Sequence, residues 1–74
     1  AREELTKALA LARQIRDALS TARTLNSLGL LARDEGDNQQ ACQHFREALA
    51  LFERISSPEA AEPRQMLQRL GCGP

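Results

Sequence analysis

The chain has 74 residues, with ten basic and ten acidic side chains and no net charge. That length leaves room for one small domain with a thin core. Balanced charge without a basic stripe argues against a nucleic-acid binder, and no apolar run is long enough to span a membrane. Alanine and leucine supply most of the apolar mass, Phe45 and Phe52 are the only aromatics, and valine is absent. This is a helical vocabulary. The chain opens at Ala1 with no charged-then-apolar leader pattern and is expected to be a piece of a longer protein. Two widely separated cysteines, Cys42 and Cys72, do not make a disulfide framework, so a reduced, cytoplasmic protein is expected.

Periodicity and punctuation predict four helices. The first covers residues 2–15, with Leu5, Ala8, Leu9, Ala12 and Ile15 at three- and four-residue steps on one face. Asp17 is the expected N-cap of the second, whose inward stripe is Thr21, Leu25, Leu28 and Ala32. That helix ends near Glu35, because Gly36 can take the left-handed position and Asp37 can cap the next helix. Asp37 with Gln40 three residues on has the spacing of a capping box. The third helix buries Ala41, Phe45, Ala48, Phe52 and Ile55, with Cys42 and Leu49 flanking, and ends at Ser56-Ser57-Pro58. Serine as cap and proline at the first position open a fourth element. Pro63 then implies either a short turn from Pro58 followed by a helix, or a kinked helix. Met66, Leu67 and Leu70 face inward there, Arg64, Gln65, Gln68 and Arg69 outward, and Gly71 stops it.

The chain also repeats itself. Slid by forty positions, residues 1–15 fall on residues 41–55: Ala1 on Ala41, Leu5 on Phe45, Ala8-Leu9-Ala10-Leu11 on Ala48-Leu49-Ala50-Leu51, Ile15 on Ile55. A second register of forty-two pairs Ala18 with Ala60, Leu25 with Leu67, Leu28 with Leu70 and Gly29 with Gly71. Fixed periods of this size are left by stacked repeat architectures, in which one repeat cannot bury its own apolar face.

The spacing of Leu25, Leu28 and Gly29, the turn at Gly36-Asp37, and then Ala41, Phe45 and Ala48 resembles the tetratricopeptide repeat family. It is similar to the long-period subclass of bacterial signalling and regulatory proteins. The departures are Ala22 and Ala32 where aromatics are common, and Glu53 where proline is common. The resemblance implies an all-α, antiparallel helix-turn-helix solenoid fragment. Residues 1–16 would be helix B of a preceding repeat, 18–55 one complete repeat, and 58–71 helix A of the next or a capping helix. It further implies a non-catalytic interaction or scaffold module within a larger regulatory protein. A protein or peptide ligand would lie on the concave A-helix face, formed here by Arg23, Asn26, Leu30, Arg33 and Asp34. Asparagine there can clamp a ligand backbone by donating and accepting at once, and arginine can take a carboxylate in bidentate fashion.

Other chemistry is thinly represented. Cys42 and His44 stand two apart on a helix and point to different sides, so no metal site is expected. Cys42 reads as a small buried hydrophobe, His44 as exposed and Cys72 as a free or intermolecular thiol. One histidine, no glycine-rich loop and no paired carboxylates leave nothing for catalysis and call for no cofactor. The second functional expectation is self-association, as a homodimer or by helix exchange. It arises because the apolar face of the first helix, with Leu5 and Leu9, has no partner within the chain.

Overall fold

The computed structural model describes the backbone of residues 2–72 and the side chains of residues 17–72. Helix α1 (Arg2–Asp34) is followed by α2 (Asn38–Arg54), a 3₁₀ turn (Pro58–Ala60) and α3 (Ala61–Arg69). No strand occurs among the described residues, and the class is all-α.

Among the described residues there are three α-helices, not four. The first two predicted segments form a single 33-residue helix, and Asp17, expected to cap the second, lies exposed in its middle. The local reason is that Arg16 and Asp17 separate the two apolar segments without a glycine or proline. A mid-helix aspartate costs only about 0.7 kcal/mol in propensity, too little to stop a helix favoured on both sides. At 1.5 Å per residue α1 is about 50 Å long, and the longest dimension of the molecule is 51 Å.

All three helices end alike. Gly36, Ser56 and Gly71 take positive φ values of 83°, 55° and 66°. In each case the next residue donates its N–H five residues back: Asp37 to the Ala32 carbonyl (2.8 Å), Ser57 to Phe52 (2.8 Å) and Cys72 to Leu67 (3.0 Å). This Schellman closure satisfies carbonyls that the helix itself leaves open. Gly36→Val should therefore lower stability by about 1–2 kcal/mol, because a β-branched residue is strained in the left-handed region. Open space surrounds the position, so the loss is purely conformational. A thermal melt should show it, with Gly36→Asn losing less; equal melting points for all three proteins would refute the assignment.

The starts are capped as the spacing predicts. The Gln40 N–H donates to Asp37 Oδ1 at 3.1 Å, and the Glu59 N–H donates to Ser57 Oγ at 3.2 Å with Pro58 at the first position. Pro63 lies in the first turn of α3, where a missing N–H has no intrahelical partner to lose, and its ring is fully buried.

Packing uses the C-terminal half of α1. Ala22, Ala48, Phe52 and Ala60 form one cluster, bordered by Leu19, Leu25, Leu49 and Leu51. Ala32, Ala41, Phe45 and Met66 form the other, bordered by Leu30, Leu67 and Leu70. The inward line of α1 is rotated from the predicted one. Ala22, Asn26, Gly29 and Ala32 are buried and Leu25 is half-buried, while Thr21 and Leu28 are exposed. The cause is the close approach of α2: a Cβ built on Gly29 would lie 2.7 Å from Phe45 Cε1. Only small residues fit on that contact line, so the leucines flank it.

Candidate partner-binding surface

The five residues predicted to hold a ligand lie on one side of α1, the side turned toward α3. Spacings of three and four residues stack Arg23, Asn26, Leu30 and Arg33, with Asp34 beside them. The Arg23 guanidinium donates to both carboxylate oxygens of Glu59 at 3.0 Å each, Nε to Oε1 and Nη2 to Oε2. This hydrogen bond, then the attraction of opposite charges, holds the Arg23 pKa above its ordinary value. Arg33 Nη2 donates to Asp34 Oδ1 at 3.1 Å, and its Nη1 reaches Met66 Sδ at 3.8 Å. The strip is thus a seam closed at one end by Glu59 and at the other by Met66. Both ion pairs are solvent-exposed and hold by only about 0–1 kcal/mol, so a ligand carboxylate can compete for either arginine.

Two of the five are not where the sequence places them. Asn26 is only 8% exposed, and Leu30 is half-buried against the Phe45 cluster. The Asn26 side chain lies on the buried line of α1 with Ala22, Gly29 and Ala32, so helical spacing beside the packing stripe does not leave it open. Its Oδ1 is buried without a hydrogen-bond partner, a state costing about 1–3 kcal/mol. Leu5 and Leu9, the expected self-association pair, fall outside the residues whose side chains are described.

A second concavity, about 370 Å³, opens on another side of α1 between its last two turns and the start of α2. Leu28, Leu31 and Ala32 line it from α1, Glu35 and Asp37 from the turn, and Gln40 and His44 from α2. His44, expected to be exposed, is half-buried, and its Nδ1 has no partner. The signal for this groove was present in the sequence as the outward Leu31, one turn from Leu28.

The cysteines also correct the sequence reading. Cys42 and Cys72 form a disulfide, with Cα atoms 5.9 Å apart. Neither is a free thiol, and Cys42 is half-buried rather than a core hydrophobe. Thirty residues apart in the chain, they meet because α3 folds back along α2 and its Schellman turn brings Cys72 to the first turns of α2.

Helix pairs of this kind, with a glycine under an aromatic ring and alanines along the seam, fit what the tetratricopeptide repeat family model finds. It matches residues 1–54 and again residues 20–72. The chain belongs to the tetratricopeptide repeat family. No curated protein and no solved structure matches it. Tetratricopeptide repeats are a non-enzymatic module that generally mediates protein–protein interaction. In this repeat protein the family's small positions are Gly29, Ala41 and Ala48, and its aromatic is Phe45. Gly71, which pairs with Gly29 in the sequence register, does a different job: α3 is short and Gly71 closes it. Among the described residues no group of three potential metal ligands comes together, and no helix is long and apolar enough to cross a membrane.

Proposed function

We infer that the seam between α1 and α3 binds a protein or peptide ligand, within a larger regulatory protein of bacterial type. Residues 1–16, 18–55 and 58–71 are parts of three successive repeats in this reading, supported by the two sequence registers. The observation that supports it is a pair of arginines on one strip, Arg23 and Arg33, both held only by exposed, weak ion pairs. An acidic ligand offers carboxylates that can take Arg23 and Arg33 in bidentate fashion. Leu30 and Met66 supply apolar contact between them. The cytoplasmic location expected from the cysteine count rested on reduced thiols; the Cys42–Cys72 disulfide favours an oxidising compartment instead.

The test is selection of binders from a phage-displayed peptide library, followed by calorimetry on the selected peptides. Those peptides should carry acidic side chains. Arg33→Ala should weaken them about tenfold or more, the worth of a charge-assisted hydrogen bond, and Arg23→Ala by a similar factor. If neither substitution changes affinity, the seam is not the binding surface.

A further inference from the structure

Leu28 and Leu31 are large apolar side chains left 41% and 56% exposed, and both line the groove on the side of α1 away from α3. The internal repeat says what belongs on that side. A shift of forty-two residues carries Pro63, Met66, Leu67 and Leu70 of α3 onto Thr21, Thr24, Leu25 and Leu28 of α1. Pro63 and Met66 are buried, and Leu67 and Leu70 are half-buried in the cluster that α2 builds around Phe45. Of their equivalents only Leu25 is half-buried; Thr21, Thr24 and Leu28 are exposed. What covers the α3 residues is chiefly α2, with Ala32 and Arg33 of α1 beside Met66, and a shift of forty carries the α2 face Ala41, Phe45, Ala48, Leu49 and Phe52 onto Ala1, Leu5, Ala8, Leu9 and Ala12. The missing cover for α1 is therefore a helix with the sequence of residues 1–15.

That segment cannot reach the face within its own chain. Residues 2–34 form one unbroken helix, so its first half is carried away from its second. The 17 residues of α2 span about 25 Å, enough to flank only the C-terminal half of a helix twice as long.

We propose that two copies of the chain exchange these segments. Their α1 helices lie antiparallel, and residues 1–15 of each cover Thr21, Thr24, Leu25 and Leu28 of the other. Transferred through the two registers, the α2–α3 packing sets Leu5 beside Thr24 and Leu25, and Ala12 beside Ala18. Running in opposite directions, these pairs read the same from either copy with a two-fold axis near Ile15, as an isologous contact requires. The interface repeats one already present in each copy, between α2 and α3, and zero net charge imposes no long-range repulsion between copies. It lies on a different side of α1 from the Asn26 seam, so it stands or falls independently of the ligand reading.

Sedimentation of the whole chain over a range of concentrations should show a reversible dimer. Leu28→Glu with Thr24→Glu, both at exposed positions, should raise the dissociation constant about tenfold or more while leaving helicity intact. A flexible Gly-Ser linker inserted after Arg16 lets the segment fold back in its own chain and should give a monomer with the same helical content. Mixing one copy carrying Leu5→Cys with another carrying Thr24→Cys should give a covalent heterodimer with a thiol cross-linker. A monomer at every concentration, a linker variant that stays dimeric, or no heterodimer would each overturn helix exchange.

Discussion

Phe45→Ala is expected to lower the free energy of unfolding by about 3–5 kcal/mol. The ring is fully buried and sits over Gly29, with three of its atoms within 2.9 Å of where a Cβ would stand. It also joins Ala32, Ala41 and Met66 into one cluster, so it is the point at which all three helices meet. Alanines cannot move in to fill the space, because their side chains end at Cβ and the backbones already touch. The cavity would therefore persist, and a persistent cavity adds to the lost transfer energy. For a domain of 74 residues, a loss of that size approaches the whole of a stability in the ordinary range of about 5–15 kcal/mol. Urea unfolding followed by circular dichroism is the measurement. A midpoint close to that of the unaltered protein would show that Phe45 is not the centre of the core.

The second large effect is expected from the disulfide. Breaking Cys42–Cys72, by reduction or by Cys72→Ser, releases a loop whose ends are 30 residues apart. The chain-entropy model puts that at about 3–4 kcal/mol. The loss should fall first on α3, a nine-residue helix too short to be stable alone. Hydrogen exchange should therefore accelerate between residues 61 and 72 before it does in α2. Because Met66 and Glu59 close the two ends of the seam, ligand affinity should fall on reduction as well. Oxidised and reduced proteins that unfold at the same denaturant concentration would contradict this account. Cys42→Ser and Cys72→Ser should match each other and the reduced protein, since each removes the same bond.

These two effects bear on different parts of the molecule. The Phe45 cluster joins α1 and α2, where small residues permit close approach, and takes in Met66 of α3. The disulfide acts at the C-terminal end of α3, where Leu67 and Leu70 are only half-buried. A short helix with little packing to hold it is held covalently instead.

Much of this was legible from the chain alone, and for local reasons. Helical class, the turn at Gly36-Asp37, the cap at Ser57-Pro58 and the buried Ala41, Phe45, Ala48 and Phe52 follow from propensity, caps and a 3.6-residue period, while Ile55, expected with them, is only half-buried at the helix end. Each depends on residues within a turn or two of one another. The family followed too, because a repeat writes its packing twice at a fixed distance.

What tertiary structure decided was everything that depends on which helix lies where. Asn26 and Leu28 sit two residues apart on one helix, and nothing local says which is covered; the packed molecule buries Asn26 and leaves Leu28 bare. Cys42 and Cys72 look unrelated along the chain and meet only because α3 returns beside α2. The continuity of α1 through Arg16 and Asp17 is of the same kind. Both segments are good helix formers, and whether the chain breaks between them depends on whether apolar burial on folding back outweighs the helical hydrogen bonds broken. Helical propensity and capping are properties of neighbours in sequence, whereas burial and pairing are properties of neighbours in space.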